Sequence, residues 1–283
     1  MPTGYRSPPL TGRTRSQAVE YQTLLVEVGA DKIATVTINR PKAMNSFNTP
    51  MLREFAQLWA ALQNDDAVSV IVLRAAEGRA FSTGADVKAS GDDAVVDYSR
   101  PFDQRDPGEF LGPKSNRCWK PVIGAVHGLC CAGAFYWVSE CDFVICSDDA
   151  EFFDPHVTYG LVAAIEPIGL TYRIPYGEVM RMVLLGNDER MSAKTALRIG
   201  LVTEIVDGHE PLWQRAQQLA ARIALKPAIA LQGSVKAVWE SQDLPRYAAL
   251  AQSMKNPMLG NPIAQATLDR DALLASVKQF EVR

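Results

Sequence analysis

The sequence has little of what marks several large protein classes. Three histidines and five cysteines are spread over 283 residues. No two cysteines stand in a CxxC spacing, so neither a metal site nor a dithiol redox motif is expected. The vicinal pair Cys130-Cys131 cannot form an unstrained disulfide, and the five thiols read as small core residues of a reduced protein. No apolar run approaches the ~18 residues of a membrane span. No basic block exceeds a few residues and net charge is −3, which argues against a nucleic-acid partner. The opening MPTGYRSPPLTGRTRSQ lacks the apolar core of a secretory signal, and a cytoplasmic location is expected.

What remains is ordinary globular composition, 47% hydrophobic and 22% charged. Gly, Pro, Ser and Arg dominate residues 1–20, which read as a flexible tail. Residues 21–206 read as the core. Runs 21–28 and 33–39 predict two strands joined by a turn at Gly29-Ala30-Asp31-Lys32. Thr49-Pro50 opens a helix with Leu52, Phe55, Leu58, Trp59 and Leu62 on one face. Strands follow at 68–73, 121–126 and 142–146, with a helix at 132–140. The strand, turn, helix unit recurs loosely, an α/β pattern of ββα units. Residues 89–109 are polar and read as an insertion or lid. Residues 207–283 predict four helices, 211–224, 227–240, 244–254 and 262–279, separated by prolines. They suit an oligomerisation or covering element.

One stretch carries the first hint of chemistry. After strand 121–126, His127-Gly128 breaks the pattern and Cys130, Cys131, Ala132, Gly133 and Ala134 lead into the helix. Small residues there leave backbone N–H groups uncovered at a helix start, a site for partial negative charge. His127 itself reads as a turn residue.

Several motifs then agree. Residues 40–48 (RPKAMNSFN), 81–88 (FSTGADVK) and 120–128 (KPVIGAVHG) occur in that order. Leu184-Leu185-Gly186, 192–196 (SAKTA) and 200–206 (GLVTEIV) follow. In sequence and spacing the chain resembles the crotonase superfamily, the enoyl-CoA hydratase/isomerase family, over roughly 22–275. The resemblance implies a crotonase-like spiral of ββα units with a C-terminal helical trimerisation region. It implies an acyl-CoA thioester substrate, with coenzyme A as part of the substrate rather than a cofactor, and a homotrimer or dimer of trimers. The family polarises the thioester carbonyl with two backbone N–H groups, which fall by position on Ala85 and Gly133. Fixed dipoles of this kind stabilise a new oxyanion by about 3–4 kcal/mol per donor. Lys42 and Ala43, with Asp86 and Val87, match positions that hold the coenzyme A adenine and phosphates.

The chain also departs from that pattern. Family hydratases hold water between two glutamates, and those positions are Tyr136 and His156 here. A Gly-rich turn is replaced by Val162-Ala163-Ala164-Ile165-Glu166-Pro167. A phenol is a poor base but a competent donor, and an imidazole is a competent acid or base. His156 is therefore expected as the acid/base, Tyr136 as a hydrogen-bond donor, and Asp154 or Glu166 as the acceptor that orients the imidazole. Glu140 is expected to cap or lie on the surface. Hydrolytic carbon–carbon cleavage of a cyclic β-diketone suits a His–acid pair best, with isomerisation next and hydration third. A non-catalytic acyl-CoA binder is the alternative of another class.

Overall fold

The computed structural model describes residues 20–89, 91, 95, 106, 108–271 and 281–283. The expected tail lies outside the described residues except for Glu20, as does most of the expected lid at 89–109. Strands β1 (Leu24–Val28) and β2 (Ile33–Ile38) form the expected antiparallel hairpin. Helix α1 (Thr49–Gln63) follows with the expected apolar face buried, joined by Met51. Its N-cap is Asn48, one residue before the expected threonine, because the Asn48 side chain accepts from the Met51 N–H.

The strands β3 (Val70–Ala75), β4 (Ala80–Ser82), β5 (Val122–Val126), β6 (Leu129–Cys131), β7 (Phe143–Ser147) and β8 (Glu151–Phe153) come as three successive pairs. Helix α2 (Gly108–Leu111) precedes β5, and α3 (Phe135–Glu140) follows β6. The first strand of each pair joins a six-stranded sheet ordered β1-β2-β3-β5-β7-β10, with β10 at Glu204–Val206. The second joins a four-stranded sheet ordered β4-β6-β8-β9, with β9 at Met191–Ser192. Strands β4, β6 and β8 run parallel, so the loops that leave their C-terminal ends emerge side by side. Those loops begin at Thr83, Ala132 and Asp154.

Between these elements sit α4 (Ile165–Leu170), α5 (Tyr176–Leu185) and α6 (Ala193–Ile199). One core fills the space among the two sheets, α1 and α3. Phe47, Phe55, Trp59, Phe81 and Trp137 pack there ring against ring and are almost wholly buried. Burial of each such side chain contributes about 1.5–3 kcal/mol. The other face of the six-stranded sheet is covered by α7 (His209–Ala224), whose Leu212, Ala216 and Ala220 recur every four residues against Val70, Val72 and Ile123. All five cysteines are buried and free.

Helices α8 (Ala228–Glu240), α9 (Arg246–Ser253) and α10 (Lys255–Ala266) follow. The last corrects an expectation. The helix does not start at Pro262 but runs through it, ending at Ala266, and residues 272–279 of the expected helix lie outside the described residues. The proline removes one N–H, and the loss is offset by packing of α10 on α8, where Gly260 sits against Ile229.

Candidate active site

The first wall comes from the loops after β2 and β4. Met44 and Asn45 both adopt positive φ, 50° and 53°. The buried Asn45 amide holds this turn, accepting from the Arg40 N–H at 2.9 Å and donating to the Ala80 carbonyl at 2.8 Å. Phe47 then pairs with the second loop as an isolated parallel bridge to Ala85. Its N–H donates to the Gly84 carbonyl, and its carbonyl accepts from the Asp86 N–H, each at 2.8 Å. In a parallel bridge the central residue directs its own N–H the other way. The Ala85 N–H therefore points away from Phe47. An Arg40–Asp86 ion pair at 2.9 Å fastens the same two loops. Lys42 and Val87 are exposed on these two loops.

The second wall is the start of α3. Cys131 is extended, Ala132 turns at φ +51°, and Gly133 lies in a single 3-10 turn. Its N–H falls in the first turn, where no intrahelical acceptor exists. Gly84 (φ +81°) packs directly on it, since a Cβ there would lie 2.7 Å from the Gly133 nitrogen. A Cβ on Gly133 would meet the Phe47 ring at 2.5 Å. Both glycines thus do more than turn the chain. They permit two backbones to touch.

The third wall is the loop after β8. Asp154 Oδ1 accepts the His156 N–H at 3.0 Å and lies 2.5 Å from His156 Nδ1. One carboxylate so closes the turn and orients the ring. In the neutral ring with Nδ1 donating, Nε2 keeps its lone pair, and it faces Glu166 Oε1 at 3.8 Å. Asp154 is buried and its Oδ2 has no hydrogen-bond partner. The hydrogen bond to Asp154 raises the His156 pKa, against burial, which lowers it. Both acids considered in the sequence thus flank the imidazole, one on each nitrogen.

Glu166 arrives through helix packing. It stands in the first turn of α4, and Gly169 three residues on lets α4 approach Ser139 of α3. That places the Glu166 carboxylate near His156, with its charge felt at Tyr136. Burial raises the Glu166 pKa, against a backbone hydrogen bond that lowers it. The Tyr136 hydroxyl donates to Asp106 Oδ1 at 2.6 Å. Burial first, then these carboxylates, pushes its pKa up.

Asp106, Phe47 and Arg40 were missed in the sequence. Asp106 lies in a polar run with no pattern to single it out. Phe47 and Arg40 sit within a recognised motif but look like packing and surface residues there. Glu140 caps as expected, accepting from the Lys114 and Ser115 N–H groups. His127 is wholly buried with both ring nitrogens unpaired, against His209 and Trp213. Among the described residues no group of three or more His, Cys, Asp or Glu could hold a metal ion. No described helix is long and apolar enough to cross a membrane.

Residues 29–272 match the family model described as enoyl-CoA hydratase/isomerase. The (E)-benzylidenesuccinyl-CoA hydratase of Thauera aromatica is 31% identical over 220 residues, 76% of this chain and 82% of that protein. The mitochondrial Delta(3,5)-Delta(2,4)-dienoyl-CoA isomerase of Mus musculus is 29% identical over 76% of this chain and 68% of its own. A crystal structure of an enoyl-CoA hydratase/isomerase from Mycobacterium paratuberculosis superposes with a TM-score of 0.76. It is 34% identical, covering 90% of this chain and 94% of that one.

Proposed function

The chain belongs to the enoyl-CoA hydratase/isomerase family of acyl-CoA enzymes, and from that premise we propose that it transforms an acyl-CoA thioester with His156 as the acid/base. The thioester oxygen is received by the N–H groups of Ala85 and Gly133, whose loops touch at Gly84. These donors act only where negative charge develops, so they lower the barrier to an enolate or tetrahedral intermediate. Lys42, Ala43, Asp86 and Val87 hold the coenzyme A end, Lys42 supplying positive charge to a phosphate. No cofactor is assigned beyond the coenzyme A of the substrate. Exposed Val238, Leu250, Met258 and Leu259 on α8–α10 are where copies of the chain would associate as trimers.

The observation that carries this reading is the ordered imidazole, Nδ1 2.5 Å from Asp154 and Nε2 3.8 Å from Glu166. Nε2 can take a proton from a carbon beside the thioester or from water. Hydrolytic cleavage of a cyclic β-diketone is a second reading, favoured by this same histidine between two acids where a two-glutamate hydratase would have a carboxylate. The test is a panel of enoyl-, dienoyl- and cyclic β-diketo thioesters of coenzyme A, with turnover and binding measured separately. His156→Ala should lower kcat/KM about 10²–10⁴-fold while leaving thioester binding near that of the wild type. A panel that binds the wild type without turnover of any member would refute the catalytic reading in favour of a binder. The products would decide between isomerisation, hydration and cleavage.

A further inference from the structure

Where a two-glutamate hydratase would have a carboxylate, α3 carries the larger ring of Tyr136. One edge of that ring lies against Gly133, since a Cβ there would be 3.3 Å from Tyr136 Cε2. The opposite edge abuts the backbone of Gly108 at the start of α2, where a Cβ would run into Cδ1 and Cε1. Phe47 meets the ring edge-on, with centroids 6.3 Å apart. The hydroxyl is tied to Asp106 Oδ1 at 2.6 Å, and a hydrogen bond to a carboxylate is stronger than a neutral one. The ring is therefore held on both edges and at its tip.

Beyond it lies a cleft of about 260 Å³. Among the described residues Tyr136, Gly108, Ile165, Ile168, Tyr172 and Trp239 line it. Ile165, Ile168 and Tyr172 are 49%, 58% and 58% exposed, so α4 and the turn after it leave a patch of apolar surface uncovered there. The polar groups around the cleft are already engaged or reach solvent. Asp106 holds Tyr136, and Glu140 accepts from the Lys114 and Ser115 N–H groups. Glu109, Gln242 and Asp243 are exposed.

We propose that Tyr136 is the specificity-determining residue of the acyl subsite: its ring closes the site just beyond Gly133, so that the protein takes a compact acyl group and the apolar cleft behind is shut off. This deepens the acyl-CoA reading and rests on it. The direction follows from the other parts of the ligand. Coenzyme A lies on the loops after β2 and β4, and the carbonyl lies between Ala85 and Gly133. The acyl group then continues past Gly133 toward α3 and α4. A fixed ring stops each methylene that would have to pass it. An apolar cleft would instead strengthen binding about fourfold for each one it buried.

Calorimetric titration of the full-length protein with S-(2-oxoalkyl)-CoA thioethers of increasing alkyl length tests this without turnover. These probes keep a carbonyl and carry no thioester to cleave. In the wild type affinity should rise over the shortest chains and then level off or fall. In Tyr136→Ala it should go on rising, by about fourfold per further methylene. Adding Ile168→Trp, which fills the cleft from an exposed position on α4, should cancel that gain. Ile168→Trp alone should leave the wild-type profile as it is. Circular dichroism and thermal unfolding check that each variant is folded. Tyr136→Leu, shorter by the tip of the ring, takes the place of Tyr136→Ala should that variant not fold. The same chain-length profile in the wild type and in the folded smaller variant overturns the proposal. So does a gain that Ile168→Trp leaves intact. A wild type that binds no member of the series overturns the acyl-CoA reading and this inference with it, whereas binding with an unchanged profile overturns this inference alone.

Discussion

Gly84→Ala separates backbone strain from displacement of the site. Gly84 lies at φ +81°, where a side chain costs about 1–2 kcal/mol. The added Cβ would also stand 2.7 Å from the Gly133 nitrogen and 2.8 Å from the Ala132 Cβ. Neither neighbour is the end of a flexible side chain. One is backbone and the other is the first atom of its residue, itself at φ +51°. Reaching ordinary contact near 3.4 Å requires a shift of about 0.7 Å in the loop that bears Ala85 or in the one that bears Gly133. Catalytic geometry tolerates about 0.5 Å, and loss of one such donor costs about 10²–10³-fold in turnover. Gly200→Ala is the control, since it has the same sign of φ, +87°, and open space around its Cβ. Urea unfolding and kcat/KM are measured for both. Each variant should lose about 1–2 kcal/mol from the backbone alone, and Gly84→Ala should lose turnover as well. Wild-type kcat/KM in a folded Gly84→Ala protein would refute the claim that the contact of these two loops sets the donor geometry.

Burial, with a smaller contribution from the neighbouring His209, holds the His127 imidazole at a pKa of about 4. Below pH ~6.5 the unfolded chain takes up a proton that the native chain refuses until about pH 4, so stability should fall by about 3 kcal/mol as pH drops through that window. His209, paired with Glu77 and Asp149 at 3.0 Å each, has a raised pKa and acts in the opposite sense. Its contribution is present below the unfolded pKa and is lost as pH rises through the folded one. Urea midpoints against pH should therefore lose the downward slope in His127→Asn, and the same slope in both proteins would rule the explanation out. Lys114 is buried with Nζ 2.9 Å from Asp142 Oδ2. Lys114→Ala removes the bond to Asp142, which is itself exposed and keeps the Val122 N–H at 2.7 Å, and the bond to the Lys120 carbonyl at 3.3 Å, and should cost about 1–3 kcal/mol in denaturant unfolding, whereas a loss below about 0.5 kcal/mol would mean that solvent already screens the pair.

The sequence by itself determined the strands β1, β2, β3, β5 and β7, the buried face of α1, the glycines Gly84 and Gly133, and His156 close to Asp154. These depend on local spacing, and local spacing is what alternation, turns and caps record. Strands β4, β6 and β8 read there as loops or not at all. The Asp154–His156 contact spans two residues and is set by one turn. Only the tertiary structure decided the rest of the site. Parallel pairing of β4, β6 and β8 sets their exit loops side by side, and no local pattern states that order. Glu166 reaches His156 because α4 closes on α3 at Gly169. Asp106 reaches Tyr136 across thirty residues, from a polar run that carries no periodicity. His127 and His209 meet across the chain where α7 begins. Sequence patterns record which face of an element is apolar. Which acid ends against which base depends on how those elements pack, because a single charged side chain leaves no periodic trace until a partner from another element reaches it.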